Sequence, residues 1–203
     1  MVNQFFIDQR PQNGLTFAEY FDAMKQKTNA INLSKEDLID LEHVKLNYQR
    51  SSRILRTHKI NDNLFHLIKQ ISSLQIWMLL TEDWCGDSAQ NIPYIVKMAE
   101  CNSMINLRIL LRDQNTDIID LYLSDSNSRS IPKLVAFNEN GDELFQWGPR
   151  PKEAQELVRK LKSEGLSKEE YILQLHLWYG KNRRKNLELE FIQIIEELIS
   201  KKY

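Results

Sequence analysis

The stretch from Ile76 to Pro93, IWMLLTEDWCGDSAQNIP, constrains this chain more than any other. Ile76 to Leu80 is an apolar run too short for a helix of its own and suited to a buried strand. Thr81-Glu82-Asp83 then turns the chain into Trp84 and Cys85, and a helical segment follows, with Pro93 about two turns into it. A cysteine at a strand-to-helix junction faces the first free backbone N–H groups of the helix, and the positive end of the helix dipole favours thiolate over thiol. The thiolate is the nucleophile, so the position predicts a poised thiol. Asp87 opposes it. The dipole contributes at most about 2 kcal/mol, near 1.5 pKa units, and one close carboxylate cancels much of that. The expected result is a moderately activated Cys85.

The rest of the chain alternates helical and strand patterns. Phe5-Phe6-Ile7 reads as a short strand in an irregular arm over 1–15. Thr16 to Glu19 reads as a capping box, and Phe17, Tyr20, Phe21 and Met24 follow at helical spacing. After a turn at Asn29–Leu33, Ser34 to Asp37 is a weaker cap opening a long polar helix to about Arg56, with Leu38, Leu41 and Tyr48 on one face. Asn61-Asp62-Asn63 caps a helix through about Ser73. Strands are expected at 75–81 and 105–111, joined by the helix after Cys85 and therefore parallel. A short helix follows at 117–123. Lys133–Asn138 and Glu143–Trp147 form a hairpin around Asn140-Gly141, and a helix occupies 152–163. Ser167 to Glu170 is a further capping box, opening the first of two terminal helices.

These marks, in this order, resemble the thioredoxin family. WCGDS is similar to the WCGPC segment of thioredoxins, and Pro93 stands eight residues after Cys85, where that family's active-site helix carries a proline. Ile131-Pro132 begins an apolar strand as the family's cis-proline does, and Gly148 closes the next strand. The resemblance covers roughly 63–162 and implies an α/β thioredoxin-like fold, a central mixed sheet flanked by helices. It assigns residues 61–164 to that fold, with helical extensions at 1–60 and 165–203, in one compact unit. By the same resemblance Cys85, Ser88 and Pro132 are catalytic and Trp84, Ile131 and Gly148 face the substrate, with Pro132, if cis, setting the Ile131 backbone to pair with an extended chain.

Two departures matter. The second cysteine of the thioredoxin pair is Ser88, and the acid expected on the strand six residues before the nucleophile is Leu79. A serine cannot expel a bound substrate by forming a disulfide, and a leucine cannot relay a proton. Cys101 does not substitute, since sixteen residues of helix span about 24 Å whereas bridged Cα atoms lie within about 7 Å.

Topology adds a group of cations. Ligands of α/β sheets sit beyond the carboxyl ends of the parallel strands. Arg112, Arg129 and Arg150 all lie where the chain returns to that edge, and they are expected to form an anion-binding rim for the carboxylates of a low-molecular-weight thiol.

Composition excludes several classes. With 42% apolar and 27% charged residues and a formal charge of −1, nothing favours nucleic acid or an anionic membrane as partner. No run approaches the roughly 20 apolar residues of a spanning helix, and the amino terminus lacks the basic start of a secretory signal. Two cysteines in 203 residues point to a reducing, cytoplasmic setting. His43, His58, His66 and His176 show no metal-ligand spacing, so neither metal nor cofactor is expected. The cluster Lys181–Lys185 reads as a solvated turn.

Three functions compete. The first is a single-thiol disulfide oxidoreductase, in which Cys85 attacks a protein or small-molecule disulfide and an external thiol releases the mixed intermediate. The second is a non-catalytic binding module whose terminal helices engage a protein partner. The third follows from CGDS being similar to the CGFS of monothiol glutaredoxins, which hold an iron–sulfur cluster. It ranks last, because that family's glutathione-holding lysine and Gly-Gly pair have no match here.

Overall fold

Ile76–Leu80 is apolar at every position because its strand is covered on both faces. In the computed structural model, which describes residues 2–30, 35–124 and 127–201, β1 (Gln75–Thr81) is buried along its whole length. Upstream of it lie α1 (Gln4–Ile7), α2 (Phe17–Thr28), α3 (Lys35–Thr57) and α4 (Asp62–Lys69). Downstream come α5 (Gly86–Glu100), β2 (Ile105–Leu111), a 3-10 turn at Arg112–Gln114, α6 (Thr116–Ile119), β3 (Lys133–Asn138) and β4 (Glu143–Trp147). Three helices close the chain, α7 (Lys152–Ser163), α8 (Lys168–Asn182) and α9 (Lys185–Ser200).

The sheet order is β2-β1-β3-β4, with β1 parallel to β2 and antiparallel to β3, and β3 antiparallel to β4. The two-residue period of β1 sends alternate side chains into separate cores. Trp77 and Leu79 pack with Leu64 and Ile68 of α4, Ile92, Ile95 and Val96 of α5, and Leu187, Phe191 and Ile195 of α9. Ile76, Met78 and Leu80 pack with Phe5, Phe6, Ile118, Tyr122 and Ile131 on the other side. The result is the expected mixed sheet flanked by helices. The outer edge of β2 is partly covered, since Leu15 and Ile109 exchange backbone hydrogen bonds of 2.9 and 2.8 Å.

Three local expectations change. The Phe5-Phe6-Ile7 segment is a helical turn instead of a strand. A strand would send Phe5 and Phe6 to opposite faces, whereas both rings meet Phe137, at centroid distances of 6.0 and 5.2 Å. The helix expected through Ser73 stops at Lys69, because Asn102 Nδ2 donates to the carbonyls of Ile68 and Ile71 at 2.7 and 2.9 Å and satisfies the chain end there. The helix expected over 117–123 is the single turn of α6. Capping boxes do open α2 and α8. The Ser34–Asp37 cap, the Ile31–Leu33 part of the preceding turn and the Leu38 side chain lie outside the described residues.

Proline in α5 explains a tie between the active-site helix and α3. Pro93 has no N–H, so the carbonyl of Ala89 has no partner within the helix. The buried Ser51 of α3 donates its hydroxyl to that carbonyl at 3.4 Å.

Candidate functional site

β1 delivers the chain to the edge of the sheet, and Cys85 is the N-cap of α5 with extended backbone angles. Its N–H donates to the Glu82 carbonyl at 3.3 Å, and its Sγ donates to the carbonyl of Ile131 at 3.3 Å. The Ser88 hydroxyl and the backbone N–H groups of Ser88 and Asp87 act on the sulfur in favour of its thiolate. Ser88 is itself buried and accepts a 2.7 Å hydrogen bond from Thr81. The Ile131-Pro132 and Gly148-Pro149 peptides are both cis. Gly148 crosses directly over Pro132: its φ is +118°, and a Cβ there would stand 2.2 Å from the Pro132 carbonyl oxygen, so only glycine fits. Cys85, Ser88, Ile131, Pro132 and Gly148 therefore form one contiguous patch.

The thiol is not the moderately activated group expected. Burial, and secondarily the Asp87 carboxylate, push it up to about 11, against the lowering by Ser88 and the helix N–H groups. Desolvation comes from Ile131 and the second core, against which Cys85 packs. It is a tertiary effect that spacing within the WCGDS segment does not encode.

Asp87 is held from three sides. Arg150 binds its Oδ2 through both Nε, at 3.1 Å, and Nη2, and turns its Nη1 to Gln155 Oε1 at 2.8 Å. Tyr179 of α8 donates to Asp87 Oδ1 at 2.6 Å and accepts from the buried Asn91 at 2.9 Å. Asn91 also donates to the Asp87 carbonyl at 2.8 Å. Tyr179→Phe should accordingly cost about 2 kcal/mol, since it leaves a buried carboxylate oxygen and Asn91 short of a partner. Urea unfolding of the two proteins measures the loss.

The three rim arginines part company. Arg150 is on Asp87, next to the thiol. Arg112 places its guanidinium 5.1 Å from the ring centroid of Trp84, which is 39% exposed beside Cys85, and pairs with Asp113 at 2.7 Å. Arg129 turns its guanidinium to Asp120, at the end of α6, through two bonds of 2.6 Å, and only its backbone carbonyl meets Arg112, at 3.2 Å. Its charge is thus spent on Asp120. Each of the three carries a carboxylate partner, so the rim offers no uncompensated positive charge of the kind expected.

Residues the sequence did not single out stand at the site instead. Arg50 of α3 and His176 of α8 both approach Gly86: a Cβ there would lie 3.3 and 3.4 Å from His176 Cε1 and Nε2 and 3.8 Å from Arg50 Nη1. Tyr179 of α8 joins them through its bond to Asp87. No local pattern announces any of the three, because their partners lie far away in the chain.

A thioredoxin family model matches residues 32–162, more than half of the chain. The chain belongs to the thioredoxin family. Among solved structures it is similar to an HIV epitope scaffold, with TM-score 0.62 and 15% identity over 94% of this chain and 97% of the scaffold. It is similar too to a protein of unknown function from Pseudomonas aeruginosa, with TM-score 0.58 and 14% identity over 90% of this chain and 98% of that one. Both likenesses are of fold. No curated protein matches the sequence. Among the described residues no helix is long and apolar enough to cross a membrane.

Proposed function

We propose that this protein is a single-thiol disulfide oxidoreductase of the cytoplasm. The observation that carries the reading is the placement of Cys85 Sγ, at the N-terminus of α5 and 3.3 Å from the Ile131 carbonyl. Deprotonated Cys85 attacks one sulfur of a protein or small-molecule disulfide. The substrate S–S bond breaks, a mixed disulfide forms on Cys85, and the departing thiolate takes up a proton. Ser88 hydrogen-bonds the Cys85 sulfur but cannot displace the substrate. An external low-molecular-weight thiol then attacks the substrate sulfur, forms a new disulfide with it and returns Cys85. No metal or cofactor is needed for this exchange. Trp84, Ile131, Pro132 and Gly148 provide the surface on which the substrate lies.

The raised thiol shapes this chemistry. At neutral pH the resting site holds mostly thiol, and a thiol of high pKa is a poor leaving group, so the mixed disulfide persists once formed. The same observation favours a second reading, a thioredoxin-like binding module that captures a protein without turnover, with its terminal helices as part of the contact. Replacing the residue at the resolving position tests the exchange geometry. Ser88→Cys should form an internal disulfide with Cys85 and reduce insulin with dithiothreitol at least about tenfold faster than the native protein. Equal rates would show that Ser88 does not stand at the resolving position, or that another thiol does that work.

A further inference from the structure

Among the described residues, Arg50 stands beside Gly86 as a positive charge with no carboxylate partner. Arg112, Arg129 and Arg150 are paired with Asp113, Asp120 and Asp87. Among the described residues Arg50, half-buried, makes one hydrogen bond, to Asn47 Oδ1 at 3.3 Å, and pairs with no acid. That bond fixes it in place, because the buried Asn47 donates in turn to the Asp83 carbonyl at 3.0 Å, in the turn that leads to Cys85. Burial pulls the guanidinium below its ordinary pKa and Arg53 adds to the effect, so the charge sits desolvated with no acid to offset it.

His176 meets Arg50 at the same point. Both reach the face of Gly86, whose missing side chain leaves room for them, and among the described residues the buried Nδ1 of His176 has no hydrogen-bond partner. Burial and then Arg50 hold the imidazole below its ordinary pKa, against the pull of Asp87. Asp87 is already occupied by Arg150 and Tyr179. A neutral imidazole and an unpaired guanidinium facing one glycine make a small site for an anion, one residue along the chain from the nucleophile.

We propose that Arg50 and His176 form a subsite for the carboxylate of a small disulfide substrate whose sulfur is attacked by Cys85. The proposal rests on the oxidoreductase reading above and names its substrate class. The two helical extensions thus give the site its selectivity, α3 through Arg50 and α8 through His176.

Three symmetric disulfides of similar size and different charge test this: dithiodiglycolate, bis(hydroxyethyl) disulfide and cystamine. The rate of mixed-disulfide formation on Cys85 is read by intact mass. Arg50→Gln, which keeps a donor for Asn47, should slow dithiodiglycolate by about tenfold, slow the neutral reagent much less and speed cystamine. His176→Gln should move the rates in the same order by a smaller factor. Arg53→Gln, an exposed change of the same charge on the same helix, should leave the order of the three reagents as it is. Equal losses with all three reagents, or none, would overturn the subsite. Calorimetric binding of dithiodiglycolate to Cys85→Ser, with and without Arg50→Gln, keeps the two claims apart. Binding that is lost with Arg50, but without any mixed disulfide in the native protein, keeps the subsite and sinks the exchange chemistry. A mixed disulfide formed with no charge preference does the reverse.

Discussion

Arg150→Ala should destabilise the protein by about 3–5 kcal/mol, because it strands Asp87 inside the site. The pair is largely enclosed, with side-chain exposures of 16% for Arg150 and 10% for Asp87. Solvent therefore cannot take over the role of the guanidinium, as it would at an exposed pair. Lowering of Tm by roughly 6–20 °C is expected for a chain of this length. The same substitution removes a cation from beside the sulfur while leaving the carboxylate that already pushes Cys85 up, so alkylation at fixed pH should also slow. Arg150→Met combined with Asp87→Leu should recover most of the stability, since an apolar pair leaves no buried charge behind. A fall in Tm of less than about 2 °C for Arg150→Ala would mean that the pair is solvated in solution.

The second large effect is expected at the far end of the chain. Phe191 of α9 is fully buried. Its ring centroid lies 6.1 Å from that of Trp77 on the central strand, 5.7 Å from Trp147 and 6.4 Å from Phe145. Phe191→Ala should cost about 3–5 kcal/mol, from lost burial plus the cavity left among three aromatic rings that cannot all move inward. Chemical denaturation should show a single transition displaced to lower denaturant with an unchanged slope. A separate early transition of the carboxyl-terminal helices would show that α9 is an appendage to the sheet instead of part of its core.

Much of the fold was legible because its signals are local. The doubly buried β1, the Asn140-Gly141 hairpin and the capping boxes at Thr16 and Ser167 each depend on neighbours within a few residues, so spacing alone reveals them. Phe5-Phe6-Ile7 failed for the complementary reason. Three apolar residues carry no period, and the contact with Phe137 that decides their conformation is distant in sequence. The site divides in the same way. Cys85 and Ser88 lie in one short segment and could be read together. The groups that set their environment could not, since Arg150 and Tyr179 reach Asp87 from 63 and 92 residues away. Sequence reasoning weighed the helix dipole against Asp87 and missed burial, which exceeds both. It placed three arginines at the rim but had no means of seeing that each would find an acid, or that Arg50 would not.

The most direct test of single-thiol exchange is intact-mass analysis of Cys101→Ser exposed to dithiodiglycolate between about pH 7 and 9.5. With the Cys85 thiol pushed up to about 11, the thiolate fraction rises close to tenfold per pH unit throughout that range. The predicted result is one adduct, on Cys85, forming about tenfold faster for each unit of pH and removed by excess external thiol. Native protein that stays unmodified at every pH, while urea-unfolded protein accepts the reagent, would contradict the account.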